Sequence, residues 1–430
     1  MAETVPVDRS VELPEIVDAT ELDAVGDVPA RQVARPRSTE EVAALMRMAS
    51  DKGWAVVPRG TGTKLEWGRP PERVDILLDT GRLVGVVDHA AGDLVVRVRA
   101  GTTMSSLAAG LVPKRQRLAL TTRLPAQDGP VCGTVGGTIA ANPSSPLRYA
   151  YGTVRDTLIG VTMVRADGTI AHSGGAVVKN VAGYDLGKLL TGSLGTLGIL
   201  TEAVFRLHPA PEHVALVTRT AVDGAEAGRL AATVRRSQLV PAAVEVDGQA
   251  PGPFTVAVLV EGASGGVPAR AEHAAEILGE GAVVTAIASH ARMPSWWFAP
   301  AADAAGTSLR IAVAPSGVGH VIDQLGALAS KHNLVVHCRG SVGIGVLHAG
   351  LAGEADPAAV ALLVQSLRRT AEEHDGTVVA EHAPADVHEE LAYDGTDAFG
   401  PVPALDLMRR VKDQFDPARI LAPGRFVGGI

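Results

Sequence analysis

Apolar positions along this chain change rhythm from segment to segment, and each rhythm predicts an element. Val42, Leu45, Met46 and Ala49 recur at helical spacing. They follow Ser38-Thr39-Glu40-Glu41, an S-x-x-E sequence of capping-box form, and precede Gly53, so a helix is predicted between them. Short apolar runs predict strands over 55–57, 76–78 and 158–164, and alternation at Leu94, Val96 and Val98 predicts another. The run 158–164 enters Asp167-Gly168, a hairpin signal between apolar segments. A helix containing Met104 and Leu107, a short helix over 185–190 and a strand over 199–207 complete this part, which Pro209 and Pro211 punctuate. Structure is expected to begin at Arg35-Pro36, with residues 1–32 an acidic lead-in of low order.

Beyond residue 210 the grammar changes. Residues 213–278 read strand, helix, strand, strand, helix, and residues 308–380 repeat that order with a final strand. Each half has the form of a split β-α-β unit of the ferredoxin-like type. Two side by side predict one antiparallel sheet with helices on one face, a domain of ordinary size. A last helix over 404–415 and a Pro-Gly turn lie in the tail.

Composition narrows the class. The chain of 430 residues is 46% hydrophobic and 20% charged, as a soluble globular protein of two or three domains would be. A formal charge of −8, no basic run and only 3% aromatic residues argue against nucleic acid or an anionic membrane as partner. Cys132 and Cys338 are too few for a disulfide framework or a thiolate metal site. The first ten residues lack the apolar core of a signal peptide, and no apolar run approaches the ~18 residues of a membrane span. The expected compartment is cytoplasmic.

Glycine is where chemistry enters. Three dense stretches stand at Pro58-Arg59-Gly60-Thr61-Gly62-Thr63-Lys64, at Gly133-Thr134-Val135-Gly136-Gly137-Thr138-Ile139-Ala140-Ala141-Asn142, and at Gly192-Ser193-Leu194-Gly195-Thr196-Leu197-Gly198-Ile199-Leu200-Thr201. Close-set glycines let backbone turn with positive φ or approach a neighbour, and successive N–H groups in such turns make concave anion sites. Tight turns at a sheet edge are the plainer reading, and three such stretches together weaken it. Familiar nucleotide loops do not fit: Leu65 stands where a dinucleotide fingerprint needs its third glycine. Gly183 to Lys188 is one residue short of a phosphate loop, with Leu189 where Ser or Thr would bind magnesium.

The ordered set resembles the FAD-linked oxidase family of the vanillyl-alcohol-oxidase (PCMH) superfamily. The matching pieces are the loop at Pro58, Ala100-Gly101-Thr102, Thr134-Val135-Gly136-Gly137, Tyr151-Gly152, Arg155-Asp156, the run from Gly192 to Thr201, Phe415-Asp416-Pro417 and Pro423-Gly424-Arg425-Phe426. The run Val178-Lys179-Asn180-Val181-Ala182-Gly183-Tyr184-Asp185-Leu186 is similar to that of FAD-binding accessory subunits of bacterial glycolate oxidase, a heteromeric complex. The resemblance implies an α+β fold: a PCMH-type FAD-binding domain of two α/β subdomains over 33–210, a duplicated ferredoxin-like antiparallel-sheet cap over 211–395, and a C-terminal segment, 396–430, returning to the flavin. It implies that Pro58, Arg59, Gly60, Thr61, Gly62 and Thr63 wrap the FAD diphosphate. Thr134, Val135, Gly136, Gly137 and Ala141 would line diphosphate and flavin, and Gly195, Ile199 and Leu200 the adenosine end. Attachment is expected to be noncovalent, because Thr63 stands where relatives often carry the linking His. Cys132 reads as a small buried thiol rather than a second attachment point.

The cap departs from the pattern. Catalytic 2-hydroxy-acid dehydrogenases of the family carry H-x-G-D-G-N-x-H and G-E-H-G, thought to place a divalent metal. This chain has His348-Ala349-Gly350-Leu351-Ala352-Gly353-Glu354-Ala355, with Ala355 at the second His position, and Ala380-Glu381-His382-Ala383. His374 or His388 is open as a shifted substitute. His348 reads equally as a hydrogen-bonded histidine at a strand end. His382 beside Glu381 is the candidate base, since a carboxylate neighbour raises the basicity of an imidazole. No metal is assigned. Trp296-Trp297-Phe298 reads as packing or a partner contact, and Ala422 replaces the Asn usual before the Pro-Gly turn. The implied function is that of an FAD-binding subunit of a glycolate oxidase-like complex, oxidising a small 2-hydroxy acid with a second FAD-linked oxidase subunit and an iron–sulfur subunit. Those partners would also provide any peripheral placement at the inner membrane. A self-sufficient FAD-dependent dehydrogenase for D-lactate or a similar acid is the alternative, and a structural subunit with a vestigial flavin cleft the third.

Overall fold

The computed structural model describes residues 3–5, 11–120, 133–175, 184–287, 293–303, 305–393 and 397–430, with backbone alone for 3–5 and 286–287. The chain divides into two compact units. One comprises Met1–Pro143, Thr153–Ala210 and Val402–Ile430; the other comprises Ser144–Gly152 and Pro211–Pro401.

In the first unit the lead-in expectation is corrected. Strands β1 (Glu3–Val5), β2 (Glu15–Asp18), β3 (Ala24–Val25) and most of β4 (Val28–Arg35) fall within residues expected to be of low order. Short strands alternating with acidic residues leave no sustained period to read, but Val25 and Val33 are fully buried against Val57 and Leu77. Helix α1 (Thr39–Lys52) begins where the capping sequence places it. The Ser38 side chain accepts from the Glu41 N–H, Glu41 Oε2 accepts from the Arg37 N–H, and Gly53 closes the helix at φ +65°. Strands β5 (Val56–Arg59) and β6 (Val74–Asp79) join β2 and β4 in a sheet ordered β2-β4-β6-β5, with β4, β6 and β5 parallel.

Strands β7 (Val86–Ala90), β8 (Val95–Arg99), β10 (Leu158–Val164), β11 (Ile170–Gly174) and β12 (Ile199–Arg206) form an antiparallel sheet with β1, ordered β1-β11-β10-β12-β8-β7. Strand β9 (Gln116–Arg117) pairs separately with β13 (His208–Pro209). The β10–β11 hairpin turns at Asp167-Gly168, as the dipeptide predicts. Helices α2 (Met104–Leu111), α3 (Val135–Ala141) and α4 (Leu186–Leu190) bury Leu107, Leu111, Ile139 and Leu190 in this sheet's core. The buried face of α1, with Val42, Leu45 and Met46, packs on Ile76 and Leu78 of one sheet and on Val164 and Ile199 of the other. Burial of each such side chain is worth roughly 1.5–3 kcal/mol.

The second unit is built on one eight-stranded sheet. Strand β14 (His213–Ala221), helix α5 (Gly224–Arg236), β15 (Ala243–Gln249), β16 (Phe254–Gly262), α6 (Val267–Leu278) and β17 (Val283–Ile287) make its first half. Strand β18 (Thr307–Ala312), α7 (Val318–Lys331), β19 (Val336–Ser341), β20 (Val346–Leu351), α8 (Pro357–Glu372) and β21 (Thr377–His382) make its second. The order is β17-β14-β16-β15-β19-β20-β18-β21, antiparallel throughout. Each half runs as a ferredoxin-like sheet, and the two meet through their second strands, β15 and β19. Helices α5 and α7 touch where a Cβ on Gly228 would stand 2.9 Å from the Gly319 Cα. Valine, leucine and alanine from the four helices and one sheet face form the core. On the opposite face Leu147 joins Leu216, Leu259, Met293 and Trp297, so the tryptophan pair packs within the unit. Helix α9 (Ala385–Tyr393) was not anticipated; α10 (Leu405–Phe415) was.

Candidate functional site

The first unit folds its three glycine-rich stretches onto one open cleft. Pro58, Arg59, Gly60, Thr61, Gly62, Thr63, Thr134, Gly136, Gly137, Ala141, Gly195 and Leu200 all line it. Val135 and Ile199 do not. Val135 is fully buried beneath α3, with its N–H on the Thr102 carbonyl, and Ile199 lies in the core beside α1. They are the inward-facing members of runs whose neighbours reach the cleft. Cys132 and residues 178–183 lie outside the described residues.

The loops are held by precise contacts. A Cβ on Gly60 would fall 2.3 Å from Thr134 Oγ1, so the first two stretches pack backbone against side chain. Thr134 in turn caps α3, accepting from the Gly137 N–H at 3.1 Å. Gly195 has φ +80°, and its Cβ would strike Pro58 Cγ at 2.6 Å. A Cβ on Gly136 would meet Ala100, at 3.0 Å from its Cβ, so close packing within the unit also requires glycine here. Gly60→Ala is expected to push the loops apart and weaken FAD binding at least tenfold in a fluorescence titration.

The Arg59 side chain is held within the unit by two carboxylates. Its guanidinium bridges Asp23 at 2.8 Å and Asp79 at 3.2 Å, while its carbonyl accepts from Thr80 Oγ1. The Thr20 N–H, and with it Arg59, hold the Asp23 carboxyl down to about 2 against the effect of burial. What Arg59 leaves at the cleft is backbone. Among the described residues the N–H groups of Gly60, Gly62, Thr63 and Gly195 make no hydrogen bond within the chain. Convergent, uncommitted donors suit a diphosphate, so the lining fits an FAD.

The C-terminal segment closes this unit. Fully buried Lys412 donates to the carbonyls of Thr196 and Leu421, each at 2.8 Å, and to Asp416 Oδ2 at 2.6 Å. Asp416 accepts from the N–H groups of Ile420 and Leu421, and the following residues pair with Val56 of β5. Phe415-Asp416-Pro417 thus ties α10 to the loop bearing Gly195. Arg425 reaches the loop after Gly62 and lines the cleft, as do Lys64, Ala100 and Ser193, which sequence reasoning did not assign.

The second unit gathers the other candidates on strands β18, β20 and β21. Glu381, buried, stands 3.3 Å from Arg310 Nε and 3.5 Å from His348 Nδ1. His382 Nδ1 lies 2.7 Å from the Gly306 carbonyl. A carbonyl only accepts, so Nδ1 carries the proton and Nε2 is the basic nitrogen of the neutral ring. These contacts set His348 against the carboxylate, a role the sequence reading had offered to His382. Register explains why: Arg310 sits opposite His348 across β18 and β20, while a bulge separates Ser308–His382 from Leu309–Ala380 pairing. Ala355 packs toward the helix-side core. Among the described residues no three His, Cys, Asp or Glu side chains converge as a metal site. The donor set does not fit the family's divalent metal, and a guanidinium occupies one flank of Glu381 instead.

Comparison with known proteins fits both units. The family model described as "FAD binding domain" matches residues 30–174, and "FAD linked oxidases, C-terminal domain" matches residues 234–426. The chain belongs to the FAD-linked oxidase family. This FAD-linked oxidase is 25% identical to glycolate oxidase subunit GlcD of Bacillus subtilis over 91% of its own length and 88% of the relative's. It is 36% identical to a D-lactate dehydrogenase of Archaeoglobus fulgidus over 41% of its length and 38% of that protein. Its fold matches alkyldihydroxyacetonephosphate synthase with a TM-score of 0.65 at 17% identity, covering 91% of this chain and 76% of that one. The family assignment makes the chain an FAD-binding oxidoreductase. No helix among the described residues is long and apolar enough to cross a membrane.

Proposed function

We propose that this FAD-linked oxidase holds FAD noncovalently in the glycine-lined cleft. It would serve as the FAD-binding subunit of a cytoplasmic complex that oxidises a small 2-hydroxy acid to the 2-oxo acid. The observation that carries the cleft assignment is the set of uncommitted N–H groups at Gly60, Gly62, Thr63 and Gly195. Bound flavin supplies the two-electron acceptor; the chain supplies position and charge. Oxidation of a 2-hydroxy acid removes a hydride from the α-carbon and a proton from the hydroxyl. Arg310, about one-third exposed, offers a fixed cation for the substrate carboxylate. His348 and His382 are the bases for the hydroxyl proton, the former steadied by Glu381. The second FAD-linked oxidase subunit and the iron–sulfur subunit belong to this proposal, supported by the similarity to a glycolate oxidase subunit and by the incomplete metal set around Glu381. They would also provide any attachment at the inner membrane.

Two results are expected. Acid precipitation should release all flavin into the supernatant, since Thr63 lacks the imidazole nitrogen of the linking His; flavin left on the polypeptide would refute noncovalent binding. The isolated chain should reduce dye with glycolate or D-lactate far more slowly than after co-expression with partner subunits. The self-sufficient dehydrogenase reading is favoured only by the assembly of Arg310, His348, Glu381 and His382 on adjacent strands. It wins if the lone chain turns over at on the order of 10 per second and if His348→Ala or His382→Ala abolishes that rate.

A further inference from the structure

Arg425 forms part of the cleft wall and is only 3% exposed. Its Nη2 donates to the carbonyls of Lys64 at 3.3 Å and Trp67 at 3.2 Å, and to that of Leu65. This staples the end of the first glycine-rich loop, and it uses one nitrogen of three. Among the described residues Nε and Nη1 make no hydrogen bond, and Nη1 is sealed from solvent. Nor does a carboxylate answer the charge: burial alone lowers the pKa, to about 10.

The other cations near these loops are compensated. Arg59 lies between Asp23 and Asp79, and Lys412 is paired with Asp416. Lys64 faces the Trp67 ring at 5.3 Å. A buried guanidinium without a counter-ion is costly, and carbonyl dipoles offset only part of that cost. Loop stapling needs N–H donors, which a neutral amide also has, so it does not account for a full charge at this position. An anion delivered into the cleft does.

We propose that Arg425 is a positioning residue whose guanidinium supplies the counter-charge for an anionic oxygen of FAD. This rests on the assignment of the cleft to FAD. Two parts of the cofactor carry that chemistry: the diphosphate, and the reduced isoalloxazine at its N1–C2 carbonyl edge.

The test uses the full-length apo-protein, titrated with FAD and with riboflavin, a probe without phosphate, alongside the midpoint potential of bound FAD. Arg425→Met is expected to bind FAD at least tenfold more weakly. A loss confined to FAD identifies the diphosphate as partner. A loss that persists with riboflavin, together with a lower midpoint potential, identifies the isoalloxazine. Where Arg425→Met does not fold, Arg425→Gln carries the same test, because its amide still serves the carbonyls without charge. Arg425→Lys restores the cation and is expected to recover most of the affinity, at an apo melting temperature close to wild type. The proposal is overturned if a folded neutral variant keeps wild-type FAD affinity and potential while Gly60→Ala loses FAD. If Gly60→Ala also binds FAD normally, the cleft assignment falls and takes this proposal with it.

Discussion

Lys412→Met is expected to destabilise the first unit by about 3–5 kcal/mol, the usual result of leaving one partner of a buried ion pair behind. Lys412 is fully buried and bonded to three oxygens, two of them carbonyls with no solvent to replace the ammonium. Burial lowers its pKa while Asp416 opposes that shift, so the charged form depends on the carboxylate. For a domain of this size the loss corresponds to a fall in melting temperature on the order of 10 °C. The loop carrying Gly195 should loosen with it, because Thr196 is one of the three acceptors, and flavin retention should fall. A double-mutant cycle with Asp416→Asn tests the mechanism. Without the carboxylate to strand, Lys412→Met should cost much less, and the two losses should fall well short of adding. Simple additivity would show that Lys412 acts only through packing.

What the sequence discloses follows from the range of the contacts involved. The α1 cap, the Asp167-Gly168 hairpin and the glycine loops are set by neighbours a few residues away, and each was legible. The paired ferredoxin-like halves were legible as well, because each strand and helix carries its own period. Their fourth strand in the first half, β17, was not: Val283 and Val284 are both exposed at the sheet edge, so no alternation marks it. Strand β7 is an edge of the same kind, with Val86 and Val87 exposed. Val135 and Ile199 illustrate the opposite error. A glycine-rich run alternates between cleft and core, and residue type alone does not say which members face inward. Segment Ser144–Gly152 falls within the 33–210 expected of the first domain but joins the second unit, where Leu147 is buried and the Tyr151 hydroxyl donates to Glu261 at 2.6 Å. The partners of Glu381 and the isolation of Arg425 depend on strands and loops distant in sequence, and no local pattern announces either.

Glu245→Gln is expected to stabilise the second unit by an amount that grows with pH. Glu245 lies on β15, on the sheet face of Ala243 and opposite that of Val244 and Val246, which enter the helix-side core. It is 4% exposed, and neither its Oε1 nor Ser341 Oγ finds a hydrogen-bond partner. Burial pushes its carboxyl up to about 8. In the unfolded chain the same group ionises near its ordinary value of 4.5. Between these two values the folded state therefore binds one proton more than the unfolded state. Stability then falls as pH rises through that window, by about 1.4 kcal/mol per pH unit. The decline ends above pH 8, where both states are ionised, after a total of about 5 kcal/mol. Glutamine has the same shape and no proton to lose, so the slope should vanish in the variant. Denaturant titrations followed by Trp296 and Trp297 fluorescence should give nearly equal stabilities at pH 5 and a gap of several kcal/mol at pH 8. An equal gap at both pH values would show that Glu245 ionises in the folded protein much as it does in water.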